Sequence, residues 1–274
     1  MMTMTMRIFL GWIGLLLWPL WVSAGELRWR GELTQGGLIV GQAPPGTRLT
    51  LDGQPIPVTP EGTFVFGFGR DAPPLARLGV VFPNGIREER RLTIAQRQYR
   101  IQRLDGLPPQ QVTPPPELLE RIRRENALVA EARQQEIPQA NFTNGFIWPV
   151  TGRITGVYGS QRILNGEPRQ PHYGIDIAAP VGTPVRAPAA GVVTLAEPDL
   201  YYSGATLIID HGHRLSSTLM HLQKIHAQVG QTVRQGEVVA TVGASGRVTG
   251  AHLDWRINWR EERIDPALLV PPMR

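Results

Sequence analysis

Cysteine is absent from all 274 residues. That absence removes a disulfide framework, a thiol nucleophile and a lipidated cysteine behind a leader. Lysine is almost absent too: Lys224 is its one representative, so the net charge of +5 rests on arginine. No stretch of arginine is dense enough to argue nucleic-acid binding. Long apolar runs are also missing. The longest, from Ile8 to Val22, holds about 15 residues and is interrupted by Pro19, short of the ~20 needed to span a bilayer. Arg7 before that run and Val22-Ser-Ala24 after it give it the form of a secretory signal cleaved after Ala24, with a membrane anchor as the alternative. Cleavage would leave 27 basic against 23 acidic residues, a mild bias that suits an anionic polymer or a membrane surface as well as plain solubility.

What is present divides the chain. With 42% hydrophobic residues, it can bury the cores of two modest domains. Residues 25–105 read as short strands between turns, among them Gly37-Leu-Ile-Val-Gly41, Thr63-Phe-Val-Phe-Gly67 and Leu78-Gly-Val-Val-Phe82. Asp52-Gly53 and Asn84-Gly85 are the strongest hairpin signals, and the spacing predicts a small immunoglobulin-like β-sandwich with an accessory role. Residues 106–141 form a linker. Pro108-Pro109 and Pro114-Pro-Pro116 cannot continue a sheet ladder, and a helix follows from about Glu117 to Gln135. Leu118, Leu119, Ile122, Leu128, Val129 and Ala132 give it a partial apolar stripe; Glu117/Arg121 and Glu120/Arg124 are favourable pairs. It is either a strut between domains or a regulatory helix over a groove.

Residues 142–270 carry all six histidines and no helical pattern of useful length before Arg260, so this part reads as an antiparallel β domain with a groove. Thr183–Val193 and Val229–Ala240 look like related half-barrel turns, a pattern shared with lipoyl and biotin carriers. A carrier needs a lysine at the hairpin tip, and Lys224 lies outside both turns. Side chains alternate faces along a strand, so His172 and Asp176, four apart with Gly174 between, project to one side; His252 and Asp254 share a face likewise. Imidazole and carboxylate are ligands that Zn²⁺ accepts, and three protein ligands plus water is the catalytic arrangement.

His172-x-x-x-Asp176, His221-Leu222 after Ser217-Thr-Leu-Met220, and Thr249-Gly-x-His252-Leu-Asp254-Trp255 together resemble the motifs of the lysostaphin-like zinc metallopeptidases, which cut peptide bonds in bacterial peptidoglycan. The resemblance runs from about Phe146 to Pro266 and opens with Ile147-Trp-Pro-Val-Thr-Gly152 and Val157-Tyr-Gly159. It implies a C-terminal metallopeptidase domain in which His172 and Asp176 ligate Zn²⁺, and His221 and His252 manage the proton of the activated water and stabilise the oxyanion. The family's third motif is His-x-His, whereas here its second member is Asp254. A carboxylate can take the third ligand position. Two carboxylates would cancel the metal's charge, which predicts a weaker Lewis acid, an alkaline-shifted pH optimum and easier substitution by Mn²⁺. The alternative for Asp254 is an ion pair with Arg256, on the same strand face, that leaves two ligands and a dead site. The family often has an aromatic residue where Leu219 stands, two before His221. His211 and His213 suit a hairpin turn, with His213 as a substitute ligand, and His226 suits the surface.

The expected function is an exported zinc endopeptidase, periplasmic or secreted, acting on peptidoglycan peptide stems. The alternative is an inactive relative that binds or activates a separate cell-wall or cell-division hydrolase. Neither needs nucleic acid or a stable membrane anchor.

Overall fold

The computed structural model describes residues 26–104 and 116–273. The expected leader and the proline-rich start of the linker lie outside the described residues. Among those described, no helix is long and apolar enough to cross a membrane.

Seven strands build the first layer pair: β1 (Arg28–Arg30), β2 (Leu38–Gln42), β3 (Arg48–Leu51), β4 (Gln54–Ile56), β5 (Thr63–Gly67), β6 (Leu75–Val81) and β7 (Arg87–Thr93). One sheet has the order β1-β2-β5 and the other β4-β3-β6-β7, so the chain crosses between sheets in the manner of immunoglobulin-like sandwiches. The pattern of β6 shows why it packs this way. Ala76, Leu78 and Val80 are buried while Leu75 and Arg77 face out. Phe64 and Phe66 of β5 are fully buried, their rings parallel at 6.0 Å, and Gly41 is required beneath Phe64 because a Cβ there would meet its ring at 2.1 Å. Asp52 and Gly53, with φ of 48° and 82°, close the β3–β4 hairpin. The outer strand β7 carries Arg87, Glu88, Glu89, Arg90 and Arg91, charges that oppose edge-to-edge pairing.

β8 (Ile101–Leu104) leaves this sandwich and runs parallel to β10 (Gln161–Leu164), which forms a hairpin with β11 (Glu167–Pro168). Arg97 pairs with the buried Asp265 at 2.8 Å, Arg70 donates to the Gly159 carbonyl, and the Tyr158 hydroxyl donates to the Arg263 carbonyl. Both arginines lie on the ring of Tyr99, which sits against Gly159. The two halves are therefore tied by main-chain pairing and by arginine contacts.

The second half is one ten-stranded sheet. Its main path runs β17 (Thr232–Val233), β14 (Gly191–Leu200), β15 (Gly204–Asp210), β16 (Leu215–Ile225), β19 (His252–Trp259), β12 (Ile175–Ala178), β9 (Arg153–Gly156). β13 (Pro184–Arg186), β18 (Val238–Val242) and β20 (Glu262–Ile264) attach beside it. The two look-alike turns of the sequence pair with each other, β13 with β18 and β14 with β17. Leu253, Trp255 and Ile257 of β19 point into the core with Leu207, Ile209 and Leu219. The alternate residues His252, Asp254, Arg256 and Asn258 take the opposite face.

Helix α1 (Leu119–Gln134) packs on that opposite face. Val129 and Ala132 sit on Leu195, Leu200 and Ile208, a cluster separate from the main core, and Arg133 donates to the Thr218 hydroxyl at 3.1 Å. Thr218 lies opposite Arg256 in the β16–β19 register, so α1 shares a face with Asp254. This corrects the reading of the helix as a strut between domains, because its apolar stripe is matched by the β14–β15 surface. Leu119 and Leu128 are exposed, and the observed ion pairs join Arg121 to Glu125 and to Asp199 rather than Glu117/Arg121 and Glu120/Arg124.

His211 and His213 have structural roles. His211, fully buried, bonds the Ala190 carbonyl through Nδ1 and the Ser217 hydroxyl through Nε2, both at 2.7 Å. Burial pushes its pKa down to about 4. Its contribution to stability is thus complete above the unfolded value of about 6.5 and is lost as pH falls from there toward 4. Asp210, raised to about 6 by burial, works in the opposite sense over much of that window, so the net acid curve hides both. A carbon–proton NMR titration of the His211 ring should show it neutral at about pH 5, where an exposed histidine is charged; an ordinary midpoint would contradict its burial.

Candidate metal centre

In the antiparallel register of β12 and β19, Asp176 stands directly opposite Asp254 and Ala178 opposite His252. Two carboxylates on paired positions of adjacent strands repel unless something cationic lies between them. His172, just ahead of β12, reaches into this space: its Nε2 is 2.8 Å from Asp176 Oδ1 and 3.6 Å from Asp254 Oδ2. One donor atom from each of the three lies within 4.8 Å of the others. Burial disfavours a charged His172, but its bond to Asp176 and the nearby Asp254 outweigh that and hold its pKa above the ordinary value.

Two glycines make the room. A Cβ on Gly156, which stands opposite Asp176 in the β9–β12 register, would sit 2.1 Å from Asp176 Oδ2; one on Gly174 would sit 2.6 Å from Asp254 Oδ1. Gly156 escaped the sequence reading. Its one signal is a glycine inside a β-branched run, which marks a close approach.

The donor set suits Zn²⁺. Nitrogen and carboxylate oxygens at bond lengths of about 2.0–2.2 Å give ligand atoms roughly 3.3 Å apart in a tetrahedron, and the observed separations of 2.8 and 3.6 Å bracket that value. His172 Nδ1 is buried without a partner, so no outer hydrogen bond orients this ring among the described residues.

His221 reaches the site by a backbone irregularity. Alternation along β16 would send it inward beside Leu219, but its φ is +61° and the register with β15 and β18 shifts around it. The ring therefore lies 4.8 Å from that of His252. Each donates Nδ1–H to a carbonyl that can only accept: His221 to Ser245 at 3.0 Å, His252 to Gly250 at 2.8 Å. Both Nε2 atoms are left as proton acceptors, and that of His252 lies 3.8 Å from Asp176 Oδ1. Burial lowers the pKa of His221 against the pull of Asp254, which keeps the ring neutral at pH 7. Ser245, which the sequence reading passed over, also fixes the loop, its hydroxyl donating to the Leu222 carbonyl and accepting from Ala205 N–H.

Asp254 meets both of its expected partners at once. Besides facing His172, it accepts from Arg256 Nε at 3.1 and 3.2 Å and from its terminal nitrogen at 2.7 Å. Burial would raise the pKa of this nearly inaccessible carboxyl, but Arg256 outweighs it and holds it below the usual range. The pair therefore does not turn Asp254 away from His172 and Asp176. Arg256 also returns one positive charge, so two carboxylates plus one guanidinium sum to the charge of a His, Asp, His set, and the alkaline shift expected from two carboxylates alone loses its basis. His213 bonds the Pro138 carbonyl and edges onto Phe142, which removes it as a substitute ligand; His226 is exposed.

Gly174→Ala should displace Asp254 and lower the affinity for zinc by about tenfold or more, with thermal stability reduced by about 1–3 kcal/mol. Chelator competition checks the first and denaturant melts the second; unchanged zinc affinity would show that Asp254 has no part in binding.

The model of peptidase family M23 matches residues 170–266, the segment that holds all five of these side chains. The peptidoglycan DD-endopeptidase ShyB of Vibrio cholerae is 34% identical over 117 residues, 43% of this chain and 24% of that protein. The cell division protein DipM of Caulobacter vibrioides is 31% identical over 166 residues, 58% of this chain and 26% of that protein. The matches thus span about a quarter of the length of these curated relatives. A crystal structure of an M23 peptidase from Pseudomonas aeruginosa superposes with a TM-score of 0.67 at 31% identity, covering 86% of this chain and 94% of that one. With sequence and fold in register over nearly the whole of that relative, the chain belongs to peptidase family M23.

Proposed function

We propose that this protein is an exported metallo-endopeptidase that hydrolyses peptide cross-links of peptidoglycan, with Zn²⁺ held by His172, Asp176 and Asp254. The observation that carries the reading is the meeting of these three donors, within 4.8 Å, beside two histidines whose Nε2 atoms are free to take a proton. The names of relatives such as the DD-endopeptidase ShyB support the substrate class.

When bound, the cation supplies Lewis acidity and lowers the pKa of a coordinated water toward neutrality. At Nε2 one of the two rings, His221 or His252, takes a proton from the attacking water, its N–H bonds the oxyanion while the tetrahedral adduct lasts, and the proton then passes to the departing amine. Their carbonyl partners, Ser245 and Gly250, keep both rings in the tautomer this needs. Asp254 in place of the family's histidine is served by Arg256, which holds the carboxyl in place. The Asp254–Arg256 pair also favours the second reading, an inactive relative that activates another hydrolase, and the name of the relative DipM fits a cell-division setting.

Metal analysis of the mature protein separates the two. One zinc per chain, lost in His172→Ala together with cleavage of cross-linked muropeptides, is the expected result; a metal-free protein that stimulates a separate hydrolase supports the second reading. The charge argument has its own check. Asp254→His alone leaves Arg256 unpaired beside the metal and should weaken zinc binding by about tenfold, whereas Asp254→His with Arg256→Gln should recover it. If the single variant binds zinc more tightly than the native protein, Arg256 competes with the metal for Asp254 instead of supporting it.

A further inference from the structure

On the site face, three guanidinium groups gather around one position. Arg256 of β19 stands in the middle. On its β16 side, Thr218 lies opposite it and receives a hydrogen bond from Arg133, in the last turn of α1. On its other side, Arg263 of β20 pairs with Asn258, two residues from Arg256 on the same face, and sits over the ring of Tyr173 at 5.7 Å. Tyr173 directly follows His172, so the patch adjoins the metal centre. Arg256 is two residues along β19 from Asp254, roughly 7 Å.

Asp254 and Glu261 face the three cations, but Glu261, which acts on Arg133 and Arg263, is exposed and already pairs with Arg214 at 3.3 Å. Asp254 is the carboxylate in contact with Arg256, and it also faces His172 and Asp176. Arg133 has a buried Nε with no hydrogen-bond partner, and its pKa is pushed down to about 9 by burial and then by Arg263 and Arg256. Half-buried cations held side by side with an unspent donor destabilise a protein unless an anion completes them. Guanidinium forks match a carboxylate in shape and charge.

We propose that Arg133 and Arg263, backed by Arg256, form a subsite for a free carboxylate on the substrate peptide, next to the bond that is cut. This rests on the peptidase reading above and narrows it: the preferred cross-link carries an ionised carboxyl on the residue beside the scissile amide. Arg256 is spent on Asp254 and supplies mainly field, while Arg133 and Arg263 supply hydrogen-bond donors. The subsite gives α1 a part in specificity, since Arg133 reaches Thr218 on the site face only because Val129 and Ala132 anchor the helix on the sheet.

The test compares a cross-linked peptide bearing that free carboxylate with the same peptide amidated at that group. For the native protein, amidation should raise KM by about tenfold or more with a much smaller change in kcat. Arg263→Gln and, separately, Arg133→Gln should collapse the ratio of kcat/KM for acid over amide toward one. Circular dichroism and zinc content confirm that each variant is folded and loaded. Equal handling of acid and amide by the native protein overturns the subsite while leaving the peptidase intact, as does preference for the acid that both variants retain. If neither peptide is cut, the peptidase reading fails, and calorimetric binding of the same two peptides to the zinc-loaded protein decides the subsite: equal affinities overturn it, and tighter binding of the acid that is lost in Arg263→Gln upholds it.

Discussion

Two carboxylates facing each other across neighbouring strands are the constraint around which this fold is arranged. Asp176 and Asp254 are paired in the β12–β19 register, and Asp254 is almost entirely buried. Left alone, such a pair would protonate or push the strands apart. His172 on one side and Arg256 on the other supply what the pair lacks, and Gly156 and Gly174 remove the side chains that would crowd it. The need for a cation is thus a property of the strand register itself.

The rest of the sheet serves that register. Leu253, Trp255 and Ile257 pin β19 to the core through alternate positions, which compels His252, Asp254 and Arg256 to face the groove. The irregularity at His221 turns one histidine out of the core and beside another. The Arg256 partnership makes the Asp254 exchange intelligible. An aspartate where a histidine is expected changes the charge of the pocket, and a guanidinium two residues away restores it without a new backbone path.

Much of this was readable from residues alone. The period of two placed His252 with Asp254, and turn chemistry at Asp52-Gly53 marked a hairpin that the structure contains; His172 does meet Asp176, but from the segment ahead of β12, where strand alternation does not apply. The Arg256 pairing was visible as an alternative to ligation, because strand spacing puts both residues on one face; that the paired carboxylate would still face His172 was not, since spacing says nothing of how a carboxylate divides its lone pairs. His221 was assigned by motif alone. Strict alternation would have buried it with Leu219, and a bulge leaves no mark in hydropathy. The helix was found but its packing partner was left open between two readings, because a weak stripe such as Val129 and Ala132 does not name the surface it covers.

Local rules, acting over a few residues, determined the β character of the chain, the faces of its strands and the chemical types gathered in its motifs. Tertiary structure decided which faces meet. The convergence of Arg133, Arg256 and Arg263 joins positions more than a hundred residues apart, and only the packing of α1 on β14 and β15 brings them together. That packing is a matter of apolar area buried between distant segments, which no window of sequence contains.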